Sequence, residues 1–163
     1  MDGRFRATVS FDDTDCTGRV HFSRYAIWID RAIQDFFRAA GFRFLGNGAL
    51  LHESRGEVVA FAIGEYWTRM DRPLALGSQI EAVARPSEVR PRRVSFEGLV
   101  IDVSDGATVA RGRITMVHID PSTGGSREIP EWLRSILTGE NINGRRGTSA
   151  PKWTSTSRTS MPC

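Results

Sequence analysis

The sequence predicts an α+β fold in which one long helix lies against a five-stranded antiparallel sheet. Apolar residues alternate with polar ones at the start of the chain, take a helical spacing between residues 23 and 40, and return to strand-like runs between residues 57 and 119. The resulting order is β-α-β-β-β-β. Because no helix separates the last four strands, they are expected to pair antiparallel.

Each element has its own local signal. The first strand is predicted around Phe5 to Phe11, where every second residue is apolar. The helix is predicted over residues 23–40, because apolar residues recur three and four positions apart and Gly41 suits the position after a helix. Residues 42–55 are predicted to be irregular and residues 129–137 to form a short helix. Four strands are predicted, each ending at a turn or proline, over residues 57–70, 79–85, 92–103 and 108–119.

The chain is expected to hold one domain, residues 1–138, followed by a disordered basic tail, residues 139–163. The formal charge of the 163 residues is +3, and the whole excess lies in the tail. A body with balanced charge argues against a nucleic-acid partner. The tail is rich in Gly, Ser, Thr and Arg and has little apolar surface to bury.

Cysteine usage and hydropathy predict a cytoplasmic protein. Cys16 and Cys163 are the only cysteines and form no disulfide framework. The first ten residues lack the apolar stretch of a signal peptide, and no segment approaches the roughly 20 apolar residues of a membrane span. We therefore expect no membrane partner.

Burial considerations predict an oligomer. Residues 58–63 are apolar at both strand parities, although a single helix of 18 residues covers only one face of a sheet. The second face and the sheet edges are therefore expected to meet another copy of the chain. A homodimer and a homotetramer fit this pattern equally well.

Three acidic residues, Asp12, Asp13 and Asp15, precede Gly18 and the predicted helix. An EF-hand calcium loop would need an acidic ligand where Arg24 stands, and no helix precedes the segment. A phosphatase with a D-x-D-x-T nucleophile motif would need a lysine in its site and alternating strands and helices. The only lysine is Lys152 in the tail, and the elements do not alternate.

The segment resembles the signature of hotdog-fold acyl-CoA thioesterases of the 4-hydroxybenzoyl-CoA thioesterase type. The resemblance covers roughly residues 4–138 and implies a hotdog fold, with the sheet wrapped around the helix and active sites at a subunit interface. The matching positions run without a gap and are Asp13, Thr14, Asp15, Gly18, Val20, His21, Phe22, Tyr25, Trp28, Asp30 and Ala32.

Hydrolysis of a thioester needs a group that attacks the carbonyl or delivers water, and donors for the oxygen that becomes negative. The resemblance places the base or nucleophile at Asp15 and the donor at the Phe22 N–H, where a helix start offers free N–H groups. Gly18 is expected to let the backbone approach closely. Asp12 and Asp13 are expected to be turn and solvent residues whose charge raises the pKa of Asp15.

The resemblance also suggests substrate contacts. It places His21, Tyr25 and Asp30 at the acyl group, and the phosphates of coenzyme A at Arg92 and Arg93. No metal or redox cofactor is implied, because coenzyme A or a carrier phosphopantetheine enters as part of the substrate. The partner is then a small-molecule acyl thioester or an acyl carrier protein.

Other interpretations of the same residues stay open. Asp15 also suits a turn or cap, and the arginine pair a solvated strand end. Asp30 also suits an ion pair or hydrogen bond with a neighbour such as Arg31 or Gln34. A hydratase or dehydratase would need a histidine and an acid across the site, with His21 as the candidate. A protein that only binds acyl thioesters would not need Asp15.

Overall fold

The computed structural model describes residues 1–140, in which one curled antiparallel sheet wraps around a long helix. The predicted α+β class is confirmed. In chain order the elements are β1 (Gly3–Thr8), a 3-10 turn (Phe11–Asp13), α1 (Phe22–Ala39), β2 (Phe42–Phe44), β3 (Leu50–His52), β4 (Glu57–Met70), β5 (Gln79–Val89), β6 (Arg93–Asp102), β7 (Thr108–Ile119) and α2 (Glu131–Thr138).

All neighbouring strands of the sheet are antiparallel. Their spatial order is β1-β5-β6-β7-β4-β3-β2. The helix α1 packs on the concave face, where its apolar stripe and the inward residues of the strands form the core. The helix residues in that core are Tyr25, Trp28, Ile29, Ala32, Ile33, Phe36 and Phe37.

A glycine sets the distance between α1 and the sheet. A Cβ added at Gly98 on β6 would lie 2.4 Å from the Cγ2 of Ile29, which is fully buried. Only glycine lets the helix come this close without a displacement. Near the other end of the helix the ring of Phe36 packs edge-on against Phe96, at a centroid distance of 5.4 Å. These two contacts fix where the start of α1 lies relative to the strands.

The predicted number of strands is wrong. The sheet has seven strands rather than five, because β2 and β3 lie within residues 42–55, which were predicted to be irregular. Each of these strands has three residues, too few to show a period of two. The structure also has a second helix, α2, in addition to the long one. Its range agrees with the short helix predicted over residues 129–137.

The predicted end of β5 at Pro86 is also wrong, since the strand continues to Val89. The pairing of β5 with β6 shifts register between Pro86 and Glu88. A bulge tolerates proline because the ladder is already interrupted there. The chain leaves α2 through Gly139, which caps the helix with φ +71°. From residue 141 onward, the predicted tail lies outside the residues that the structure describes.

One edge of β4 is unpaired over most of its length. Residues 57–59 pair with β3, whereas from Ala60 to Met70 the only partner strand within residues 1–140 is β7. Four large side chains near this edge are about half exposed: Ile63 (53%), Tyr66 (59%), Trp67 (49%) and Met70 (47%). Neither helix of residues 1–140 is long and apolar enough to cross a membrane.

Candidate active site

Asp15 lies in a small hairpin that joins the 3-10 turn to the start of α1. Its N–H donates to the Arg19 carbonyl at 2.9 Å, and the N–H of His21 donates to the Asp13 carbonyl at 2.8 Å. These two bonds fold the segment back on itself. The hairpin therefore carries Asp15 close to the first turn of the helix that follows it.

Gly18 makes the turn of this hairpin. Its φ is +74°, a conformation that glycine adopts readily, and its N–H donates to the Asp15 carbonyl at 3.0 Å. A Cβ at this position would meet nothing within 4 Å. Glycine is thus favoured by the backbone angle and not by the close approach that we expected. Its N–H is already bonded and is not free for a substrate oxygen.

The Asp15 carboxylate is exposed, and Thr17 bonds one of its oxygens. Oδ1 accepts hydrogen bonds from the hydroxyl of Thr17 at 2.5 Å and from the Thr17 N–H at 2.8 Å. Oδ2 accepts no hydrogen bond from a side chain among residues 1–140. The Thr17 hydroxyl and N–H, with a smaller contribution from the backbone N–H of Arg19, hold the pKa of Asp15 below its usual value. The expectation that neighbouring acids raise this pKa is wrong in direction.

The start of α1 presents a free donor. Phe22 is the first helical residue, and its N–H finds no acceptor in the described part of the chain. His21 is the N-cap, and its Nδ1 accepts from the Ser23 N–H at 3.3 Å and lies 2.7 Å from the Ser23 Oγ. His21, which was predicted to contact the substrate, is therefore a capping residue. Its ring also packs on that of Phe22, at a centroid distance of 4.2 Å.

Asp15, Phe22 and Tyr25 line one open cavity of about 300 Å³. The opposite wall is the connection between β4 and β5, residues 70–73. Leu74 holds this connection in place, because its carbonyl accepts from the Val20 N–H at 3.0 Å and its backbone also bonds the Tyr25 hydroxyl. Burial raises the pKa of Tyr25, and the Leu74 bond partly opposes this. The cavity joins the predicted base and the predicted oxyanion donor.

Other predicted substrate residues lie away from this cavity. Asp30, on the second turn beyond Phe22, accepts from the Gln34 Nε2 at 2.8 Å, which is the local hydrogen bond considered above. Arg92 donates to the Ser126 Oγ at 3.2 Å, and Arg93 is exposed at the start of β6.

The arginine pair and Asp15 lie at opposite ends of the sheet within one protomer. Arg93 is level with Val117 of β7, whereas Met70, in the wall of the cavity, is level with Ala110. Seven residues of strand separate these two levels, which corresponds to roughly 23 Å. A single protomer therefore does not bring the predicted phosphate-binding arginines to the predicted base.

Sequence reasoning missed the structural role of Asp13. This residue was predicted to face solvent, but it is buried. Its carboxylate accepts a hydrogen bond from the Ser10 N–H at 2.9 Å and lies 3.3 Å from the Nε of Arg24. The signal was the spacing of Ser10 and Asp13, which form a capping box at the 3-10 turn. Asp12 is exposed, as expected.

Taken together, the site offers an ionised carboxylate with one oxygen that no described side chain bonds and a free N–H at the positive end of a helix. This pairing suits attack on a carbonyl whose oxygen becomes negative. No group of three side chains able to hold a metal ion occurs among residues 1–140.

Solved structures share this fold at low sequence identity. The 1,4-dihydroxy-2-naphthoyl-CoA thioesterase from Synechocystis is 14% identical with a TM-score of 0.70, and the match covers 88% of this chain and 100% of the other. The gentisyl-coenzyme A thioesterase is 22% identical with a TM-score of 0.67, covering 82% and 98%. A Staphylococcus aureus protein in complex with CoA is 18% identical with a TM-score of 0.69, covering 92% and 90%.

None of the curated protein sequences compared with the chain matches it. The family model described as the thioesterase-like superfamily, however, matches residues 9–137, which include the hairpin, α1 and the six strands β2 to β7. By this match the chain belongs to the thioesterase-like superfamily and is a thioesterase.

Proposed function

We propose that the protein hydrolyses an acyl thioester of coenzyme A or of an acyl carrier protein to the free acid and the thiol. The observation that carries this proposal is that Asp15 and Phe22, the residue with the free N–H, line the same cavity. Asp15 acts as the base or the nucleophile, and the start of α1 is the oxyanion site. We propose that this takes place in the cytoplasm.

Both roles of Asp15 give a balanced reaction. As a base, Oδ2 takes a proton from water while the water oxygen bonds to the thioester carbon. The C–S bond then breaks, and the thiolate leaves and is protonated. As a nucleophile, Oδ2 bonds to the carbon itself, the thiolate leaves, and water hydrolyses the resulting anhydride. In both cases the negative charge on the carbonyl oxygen is stabilised by the Phe22 N–H. The proposed reaction needs no metal or redox cofactor.

We propose further that two copies pair through the free edge of β4. An exposed strand edge with half-exposed apolar side chains favours pairing with another strand. A two-fold antiparallel pairing places the Met70 end of one β4 opposite the Ala60 end of the other. Because Ala62, Val117 and Arg93 share one level across the sheet, Arg93 of the partner subunit then lies about three strand spacings from Met70, or about 14 Å.

This dimer unites the predicted site residues. Asp15 and the Phe22 N–H come from one protomer, and the arginines that suit coenzyme A phosphates come from the other. The CoA thioester is the favoured substrate form, because the structural relatives named above act on or bind CoA compounds. A hydratase is less well supported, since the Nδ1 of His21, the histidine that such a site would use, is bonded to Ser23.

The test is release of thiol from a panel of aryl and aliphatic acyl-CoA and acyl-carrier thioesters. Asp15→Asn should lower the rate by roughly 10²–10⁴-fold, the usual effect of removing a general base. Asp12→Asn is the matched control, because Asp12 is an exposed acid of the same segment outside the cavity. Absence of thiol release from every substrate, or equal rates for Asp15→Asn and the wild type, would contradict the proposal.

A further inference from the structure

We propose that Thr17 is a positioning residue for Asp15, whose two donors occupy Oδ1 and so present Oδ2 to the thioester. This inference rests on the function proposed above and adds a residue that the motif itself does not specify. Every non-proline residue at this position offers the N–H, so the specific contribution of the Thr17 side chain is its hydroxyl.

The geometry around Asp15 is fixed at three points. Its N–H donates to Arg19, its carbonyl accepts from Gly18, and its Oδ1 accepts both donors of Thr17. The first two bonds hold the backbone, and the last two hold the side-chain torsions. No side chain bonds the other oxygen, Oδ2, and Asp15 lines the cavity.

An exposed carboxylate needs such support. Asp15 is open to solvent, so packing does not restrict its rotamers. Ordering a free side chain during the reaction costs conformational entropy, and a catalytic group that is already oriented avoids this cost. Bonds to a single carboxylate oxygen also determine which oxygen reacts.

No other side chain in the described part of the chain performs this role. The titratable and charged groups near Asp15 are His21 at the helix start, Arg19 in the hairpin, and Asp71 and Arg72 in the opposite wall. None of their side chains donates a hydrogen bond to Asp15. Arg72 is turned away and bonds the carboxylates of the β6–β7 turn, Asp102 at 2.7 Å and Asp105 at 2.7 Å.

The hairpin supplies a matched control for the experiment. Thr14 also carries a hydroxyl next to Asp15, but this hydroxyl donates to the Phe11 carbonyl at 2.7 Å. Thr17→Val and Thr14→Val therefore delete the same atom from the same segment, and only the first deletion changes the bonds of Asp15. Thr17→Ser retains both donors and serves as the conservative variant.

We expect Thr17→Val to lower kcat by about tenfold with KM nearly unchanged, since orientation is lost and binding is not. The acid limb of its kcat/KM profile should also move to higher pH, because the hydroxyl that holds the Asp15 pKa down is gone. Thr17→Ser and Thr14→Val should keep the wild-type limb, and thermal melting of each variant checks its folding.

The outcomes separate this inference from the proposed function. Wild-type turnover with an unshifted limb in Thr17→Val, or an equal shift in Thr14→Val, overturns the role of Thr17 and leaves hydrolysis standing. A wild type that releases thiol from no substrate overturns both. A shifted limb with tenfold lower kcat in Thr17→Val alone supports the inference.

Discussion

The carboxylate of Asp13 and the guanidinium of Arg24 form a partly buried ion pair, with Oδ1 and Nε 3.3 Å apart. The pair joins the hairpin to the first turn of α1. The Arg24 Nη2 also donates to the Asp12 carbonyl at 2.9 Å. The relation of the hairpin to the helix start, and hence of Asp15 to the Phe22 N–H, depends on this contact.

Replacement of Arg24 tests this contact. Arg24→Ala leaves the Asp13 carboxylate, of which 11% is exposed, without its ion-pair partner. Loss of one partner of a buried charged hydrogen bond costs about 1–3 kcal/mol in the free energy of unfolding. Urea denaturation measures this, with Arg19→Ala as the control because Arg19 is exposed and its side chain makes no hydrogen bond or ion pair within residues 1–140. Equal stability of both variants would mean that the pair does not hold the hairpin.

The pKa of Asp15 sets the acid limit of activity. Its hydrogen bonds to Thr17 keep the carboxylate ionised below the ordinary pKa of aspartate, about 3.9. The reactive form is the carboxylate, so kcat/KM should stay level as pH falls and decline only below that value. A pH–rate profile in a window where circular dichroism shows the protein folded measures the limb. A limb near pH 6 would assign the titration to a different group.

Burial of His118 makes the stability depend on pH. Desolvation lowers the pKa of this histidine, whose Nδ1 lies 3.0 Å from the Glu128 carbonyl. Below the unfolded pKa of about 6.5, the unfolded chain therefore binds more protons at this site than the folded one. The contribution of His118 to the free energy of unfolding is complete above that pH. It is lost as pH falls through the lower pKa that His118 has in the folded protein.

Denaturation midpoints between pH 7 and pH 5 measure this dependence. His118→Asn removes the titrating group and should flatten the slope of unfolding free energy against pH. The asparagine amide keeps a donor for the Glu128 carbonyl, so the comparison isolates the titration. Parallel slopes for the wild type and the variant would show that other groups cause the dependence.

A charged residue introduced at the free edge of β4 tests the proposed dimer. Ile63→Lys places an ammonium group on the exposed edge of the proposed dimer, where 53% of the side chain is exposed in the protomer. We expect a monomer by sedimentation, and a loss of kcat/KM carried mainly by KM, because the arginines of the partner subunit are removed. Val103→Lys, at an exposed apolar residue (48%) in the β6–β7 turn, is the control. A dimer that persists in Ile63→Lys would place the interface elsewhere.

The close approach of α1 to β6 is tested with Gly98→Ala. The new Cβ would lie 2.4 Å from Ile29, so the variant should lose about 1–3 kcal/mol of stability through overpacking. In an Ile29→Ala background, which lacks the Cγ1 and Cγ2 that meet the new Cβ, Gly98→Ala should cost less, and a double-mutant cycle in urea would show this. Gly46→Ala is the control, because a Cβ there meets nothing within 4 Å and its φ is not positive. Equal effects at both glycines would refute the packing argument.

Elements with a long, regular signal could be predicted from the sequence. The range of β4 is that predicted, because a long apolar run is followed by a clear turn signal at Arg72 and Pro73. The helix α1 begins and ends one residue earlier than predicted, because its apolar stripe extends over many residues. The strands β2 and β3 could not be predicted, because β2 depends on pairing with β3 and β3 on pairing with β4, and neither is long enough to show a period. Pro86 suggested that β5 ends there. The bulge that accommodates this proline arises from the pairing of β5 with β6, which the sequence of one strand alone does not reveal.

The candidate site divides in the same way. Asp15 and the helix start are adjacent in sequence, so the motif predicts their meeting. The bonds of Thr17 to one carboxylate oxygen and the burial of Asp13 depend on how the hairpin closes, which residue types alone do not determine. The distance of Arg92 and Arg93 from Asp15 follows from the sheet register, and that register emerges only when the strands pair.

The hairpin has a consequence for how the activity can diversify. Asp15 and Phe22 are seven positions apart in one continuous segment, and the bonds that orient them are local. The reacting groups therefore move as one unit whatever the surrounding sheet does. Substitutions on β4 and in the β4–β5 connection can reshape the opposite wall of the cavity, and with it the choice of acyl group, while the chemistry stays intact.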